Sequence, residues 1–189
     1  MANEKVVELL DRNEAEIEQL IAKKIDIWRD HVVFTAPWWL GVALTVLPWL
    51  VWWPLRKRTS TARLLYAGLF VALISITIDI VGDQLGLWHY RYNVIPFLPT
   101  YVPWGLTLMP VAVMLLLQWE PGAGVWAKSA IFAALSSFAA EPLFEMLGIY
   151  KPVHWHSAYS FPIQFFVFAG AWAFTKHRSF VPLDESTPE

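Results

Sequence analysis

Residues 64–82 read LLYAGLFVALISITIDIVG, an apolar run in which Asp79 is the lone charge. At 1.5 Å per residue, a helix of this length spans the roughly 30 Å hydrocarbon core of a bilayer. Working outward, four further stretches share the pattern. The expected spans are 37–55, closed by Arg56-Lys57-Arg58, then 64–82, 96–118, 126–150 and 159–175. Pro99, Pro103 and Pro110 make the third irregular. Gly122 and Gly124 mark the turn that follows it.

Composition agrees. Of 189 residues, 57% are hydrophobic and 16% charged, and the mean hydropathy is +0.43. A soluble domain is about half apolar and about a quarter charged. The charges crowd into residues 1–31, 56–63 and the stretch after Lys176. Trp38, Trp39, Trp52, Trp53, Trp119 and Trp126 sit at the ends of apolar runs, where interfacial anchors belong. Without cysteine, disulfides and thiolate chemistry are excluded. A formal charge of −2 argues against nucleic acid as a partner. Residues 1–13 are acidic and periodic, unlike a cleavable signal peptide.

In residues 3–33, Val6, Leu9, Leu10, Ile17, Leu20, Ile21, Ile25 and Trp28 recur at three- and four-residue steps between charges. This predicts an amphipathic helix that lies on the membrane surface or pairs with a second copy in a homo-oligomer. The expected fold class is therefore all-α, a polytopic transmembrane bundle of about five spans behind an N-terminal amphipathic helix. Its parts are 1–35, the bundle 36–176 and a polar tail 177–189. No internal repeat stands out.

Lys and Arg set the orientation. Arg56, Lys57, Arg58, Arg63, Lys128, Lys176 and Arg178 fall on one face, against Arg91 and Lys151 in the loops of the other. The positive-inside rule makes the first face cytoplasmic and residues 1–35 external, unless the first apolar stretch is re-entrant.

Ionisable groups inside spans are costly and mark function by default. Here they form two pairs of one pattern, Asp79-Ile-Val-Gly-Asp83 and Glu141-Pro-Leu-Phe-Glu145. A spacing of four puts both members on one helix face. Asp79 and Glu141 each sit roughly 22 Å along spans that run in the same direction, and so share a depth. Gln164 enters from the outer side. The outer loops add Trp88, His89, Tyr90, Arg91 and Tyr92, then Lys151, His154, Trp155 and His156. These residues predict one outward-opening pocket, with Asp79, Asp83, Glu141 and Glu145 as acid/base groups. Trp88, Tyr90, Arg91, Tyr92, Lys151, Trp155 and Gln164 would contact the ligand. His89, His154 and His156 are candidate ligands for a divalent metal ion. In a variant, Asp79 and Asp83 hold Mg²⁺ against a diphosphate while Arg91 and Lys151 contact its phosphates.

Three function classes follow. A membrane enzyme would act on a lipid or isoprenoid by carboxylate acid/base chemistry, its aromatic rings facing a cationic intermediate. A transporter or binding protein would use the same acids for protons, metal ions or a cationic ligand. A structural assembly factor would use the N-terminal helix as its arm. The inner half of the bundle is Leu, Val, Phe and Ala, broken only by Ser136 and Ser137, which favours a one-sided pocket.

From residue 50 onward the chain resembles a family of small multispanning membrane proteins of Gram-positive spore-forming bacteria. The residues that carry this are Asp79, Trp88, Tyr90, the proline-rich approach to Pro110 and Gln118, Gly148-Ile-Tyr and Tyr159-Ser. The resemblance implies a multi-pass protein of the bacterial plasma membrane. The short acid-bearing, aromatic-lined bundle is also similar in architecture to lycopene-cyclase-like membrane isoprenoid cyclases. That implies membrane lipid or another hydrophobic small molecule as partner.

Overall fold

The computed structural model describes residues 2–119 and 124–176, and these are mostly helical. The expected 177–189 tail, Arg178 and Gly122 lie outside the described residues. Helix α1 is Ala2–His31, α2 is Ala36–Leu55, and α3 is Thr61–Gln84, entered through a 3-10 turn at Arg58–Ser60. Helix α4 is Pro103–Gln118, α5 covers residues 125–146, and α6 is Ser157–Thr175. Strands β1, Trp88–Tyr90, and β2, Tyr150–Pro152, pair antiparallel in a small ribbon.

The ribbon corrects the all-α expectation, and two span boundaries move. The third helix starts at Pro103 rather than at residue 96, because prolines at 96 and 99 withhold the N–H groups that a helix needs. The fourth ends at Met146 rather than at residue 150. Gly148 takes a left-handed φ of 71°, and the chain turns into β2.

Proline also shapes the helix interiors. Pro142 removes an N–H and crowds the carbonyl of Phe138, and the preceding turn, Ser136–Ala140, is wound as a π-helix. The first turns of α4, Pro103–Leu108, are likewise a π-helix ahead of Pro110. Glu141 thus stands immediately after a widened turn.

The chain 36–55 and the rod 58–84 are each long and apolar enough to cross a membrane, and Pro103–Gln118 is a shorter apolar helix. Helix α2 buries only Gly41 and Trp52 and leaves Leu50 62% and Trp53 57% exposed, a surface that water does not tolerate well. Its start is tied to the 91–102 loop, where Trp38 Nε1 donates to Val94 O at 3.2 Å. Its end meets Gln118, whose Nε2 donates to Leu55 O at 3.1 Å. It therefore runs from one end of the bundle to the other. Helix α1 joins at the ribbon end. Its Trp28 Nε1 donates to Asn93 O at 2.7 Å, and Val32 behind it is buried.

The ribbon also reveals an internal duplication. At one constant offset Asp79 matches Glu141, Asp83 matches Glu145, Gly86 matches Gly148, and Trp88 matches Tyr150. The hydrogen bonds repeat with the residues. Leu87 N–H donates to Gly82 O at 2.9 Å, as Ile149 N–H does to Phe144 O at 3.0 Å. Arg91 N–H donates to Ile149 O as Val153 N–H donates to Leu87 O. Gly86 and Gly148 are both left-handed, with φ 67° and 71°. His89 faces its own counterpart, Lys151, across the ribbon, and the other pairs fall symmetrically to either side. Thus residues 79–91 and 141–153, each a helix end, a left-handed glycine turn and a strand, are two copies of one motif, related by a pseudo-two-fold axis through the His89–Lys151 pair. Helix α3 packs on α4 as α5 packs on α6, whereas α4 and α5 touch only briefly.

Candidate functional site

The duplication brings Asp79 and Glu141 to the ends of two parallel helices, where both line a single cavity under the ribbon. About 40 Å³ of it is open to water centres, room for about three waters. Trp88, Tyr90, Tyr150 and Trp155 wall it from the ribbon and the loop beyond, Trp104 from α4 and Phe144 from α5. Ser75, Ser160 and Gln164 supply further polar edges. The rings interlock: Trp88 meets Trp155 edge-on at 4.8 Å, and Trp104 meets Phe144 at 5.5 Å.

The two carboxylates are equivalent in position and unlike in surroundings. Asp79 is 4% exposed and clasped. Tyr90 Oη donates to Oδ1 at 2.9 Å, Thr100 Oγ1 donates to Oδ2 at 2.8 Å, and the Tyr101 backbone N–H faces the same group. Burial, reinforced by the Asp79 charge, holds the Tyr90 phenol well above its ordinary pKa and keeps it a donor. Burial likewise pushes the Tyr101 phenol up to about 12. Glu141 is only partly enclosed. The Ser157 and Ser160 hydroxyls lie beside it, yet its buried Oε2 has no hydrogen-bond partner. Trp155 Nε1 donates to Ser160 Oγ at 2.9 Å, leaving that hydroxyl's proton free to point at the carboxylate. Trp88 Nε1 and Gln164 Oε1 are also buried and unpartnered at the cavity wall. Buried polar atoms without protein partners are rare in folded proteins, and three of them line this one cavity, which has room for water beside them.

Of the expected site residues, the cavity gathers Asp79, Glu141, Trp88, Tyr90, Trp155 and Gln164. The others lie elsewhere. Asp83 and Glu145 sit one turn nearer the helix ends, off the cavity lining. His89 and Lys151 are exposed on the outer ribbon, and His154 is exposed beyond it. His156 caps α6, its Nδ1 accepting from Ala158 N–H at 3.1 Å. Tyr92 packs against the core, and Arg91 faces solvent beside α1. Among the described residues, no three of His, Asp and Glu come close enough to hold a metal ion, so the histidine metal site does not form. The pairing of Asp79 with Asp83 that the Mg²⁺ variant needs is not seen at the cavity, since Asp83 lies off its lining. The cavity residues not anticipated are Ser75, Ile78, Trp104, Phe144, Tyr150, Ser160, Ile163 and Val167. Tyr150 was findable, since it stands in the second copy where Trp88 stands in the first.

No protein-family profile, curated protein or solved structure matches the chain.

Proposed function

We propose that the chain is a multi-pass membrane enzyme that protonates a carbon–carbon double bond of an apolar, isoprenoid-type lipid. The observation that carries this reading is the unequal pair of carboxylates in one aromatic-walled cavity. Glu141, with an oxygen that lacks a partner, is the proton donor. Asp79, clasped as an acceptor by Tyr90 and Thr100, is the fixed negative charge.

In the reaction, the alkene π pair takes the Glu141 proton and forms a new C–H bond. The adjacent carbon becomes cationic between the ring faces of Trp88, Trp104 and Trp155, with Asp79 as counter-charge. Loss of a proton from a neighbouring carbon to the Glu141 carboxylate restores a double bond and the acid together. The net change is an isomerisation or cyclisation, with no oxidant or co-reactant. A cavity this narrow admits the reacting bond of a slender chain.

A second reading, a small-cation binding protein, draws on the cavity's size, which suits a few waters or one small ion. Lipid analysis separates the two. In a host making several isoprenoids, wild type should yield an isomer of unchanged mass that falls on the order of 100-fold with Glu141→Gln. Isoprenoids identical to those of empty-vector cells, together with saturable sodium binding that Glu141→Gln abolishes, would replace the enzyme with the cation binder.

In this reading α2 to α6 make five crossings, and the excess of Lys and Arg at Arg56, Lys57, Arg58 and Lys176 supports putting that end in the cytoplasm and the ribbon, the cavity and α1 outside. His154→Cys and Glu14→Cys should react with an impermeant thiol reagent on intact cells, whereas Thr59→Cys should not. Labelling at 59 alone would invert the arrangement.

A further inference from the structure

Where α1 meets the 91–96 loop, a groove of about 200 Å³ runs alongside the ribbon. Lys23, Lys24 and Arg91 project around it, and Leu20, Ile27 and Trp28 form its apolar side. The nearby acids Asp26 and Asp30 are engaged by Arg29, at 3.0 and 3.1 Å. Among the described residues, no carboxylate lies within ion-pair distance of the three groove cations. Asn93 lies in the lining and is 5% exposed. Its Nδ2 donates to Leu98 O at 3.4 Å, while its Oδ1 is buried and accepts nothing. The groove thus offers positive charge, an apolar flank and one buried acceptor.

We infer that this groove holds an anionic glycerophospholipid of the outer leaflet, with a hydroxyl-bearing headgroup as in phosphatidylglycerol. Its phosphate sits among Lys23, Lys24 and Arg91, an acyl chain follows Leu20 and Ile27, and a headgroup hydroxyl donates to Asn93 Oδ1. The exposed apolar stripe of α1, including Leu9, Leu10 and Leu20, then lies in the same leaflet as the bound lipid. The inference rests on the membrane placement above and is independent of the acid chemistry.

The test uses the full chain in detergent and native mass spectrometry. The probes are dioctanoyl phosphatidylglycerol, phosphatidylcholine and phosphatidylmethanol, with inorganic phosphate as competitor. Phosphatidylglycerol should bind at least about tenfold more tightly than phosphatidylcholine. The Lys23→Gln/Lys24→Gln/Arg91→Gln variant, altered only at exposed positions, should lose that margin and keep the wild-type lipid-isomer activity. Asn93→Leu should bring phosphatidylglycerol down to the level of phosphatidylmethanol, which has equal charge and no hydroxyl. Equal binding of phosphatidylglycerol and phosphatidylcholine to wild type would overturn the inference. So would undiminished phosphatidylglycerol binding by the triple variant. Full displacement by millimolar phosphate would reassign the groove to a free anion. Wild-type protein that binds phosphatidylglycerol selectively and forms no lipid isomer would count against the acid chemistry alone.

Discussion

Asp79→Asn should destabilise the protein by about 2–4 kcal/mol, whereas Glu141→Gln, the matching change in the second copy, should cost less than about 1 kcal/mol. The two residues hold the same place in the duplicated unit, so position does not separate them. Surroundings do. Tyr90 and Thr100 both donate to Asp79, and an asparagine there must turn its own Nδ2 donor toward one of them. One of the two hydroxyls must then give up its charge-assisted bond and turn to accept from the amide, and the carboxylate charge that held both is lost in a site only 4% exposed. At Glu141 the buried Oε2 has no partner, so an amide displaces nothing already bonded. Thermal unfolding of the two variants in one detergent checks the contrast. Equal losses would mean that Asp79 is not clasped as described. Both variants should lose the lipid-isomer product, Asp79→Asn because the cation loses its counter-charge and Glu141→Gln because the proton donor is gone.

Gly82→Ala should be more damaging than its single methyl suggests. A Cβ at Gly82 would stand 2.0 Å from Cζ2 and 2.3 Å from Cη2 of Trp88, a ring that is itself buried and stacked edge-on against Trp155. Neither ring is a flexible chain end, so Trp88 must leave the cavity wall or α3 must shift. The expected cost is about 3 kcal/mol, with loss of the cavity shape. The duplication gives the reason for glycine here. In the second copy the matching residue is Phe144, which fills the cavity with its own ring, while Gly82 makes room for a ring supplied by β1. Trp88→Phe added to Gly82→Ala should recover part of the stability, because the smaller ring clears the methyl. Strict additivity of the two losses would show that the contact is not the cause.

Much of this was legible along the chain. The apolar runs gave the helices, and the matched Asp79 and Glu141 gave the depth of the site and its two walls. The spacing of four drew in too much. Four residues advance about 6 Å and turn about 40° past a full circle, enough to carry Asp83 and Glu145 off the cavity. The histidines clustered in sequence at the outer loops, but the ribbon spreads them along an exposed edge and one becomes a helix cap. Thr100, which completes the clasp on Asp79, was not legible. It reaches the site from a loop whose path is set by packing against α1 and α2 rather than by any local pattern. The duplication is hard to read along the chain because the copies agree only at the helix end, the glycine turn and the strand. Only the symmetric ribbon register makes their equivalence plain.

The most direct test of the account is proton transfer to carbon. Purified full-length protein is incubated with isoprenoid-rich membrane lipids in deuterium oxide, and each lipid is weighed by mass spectrometry. A carboxyl that exchanges with solvent and protonates an alkene must leave deuterium on carbon, whether the chain then isomerises or cyclises. The account predicts lipid species heavier by one or more deuterons with wild type, and reduced on the order of 100-fold with Glu141→Gln. Folded wild-type protein that leaves every isoprenoid at its natural mass, or a Glu141→Gln variant that labels as fast as wild type, would contradict it.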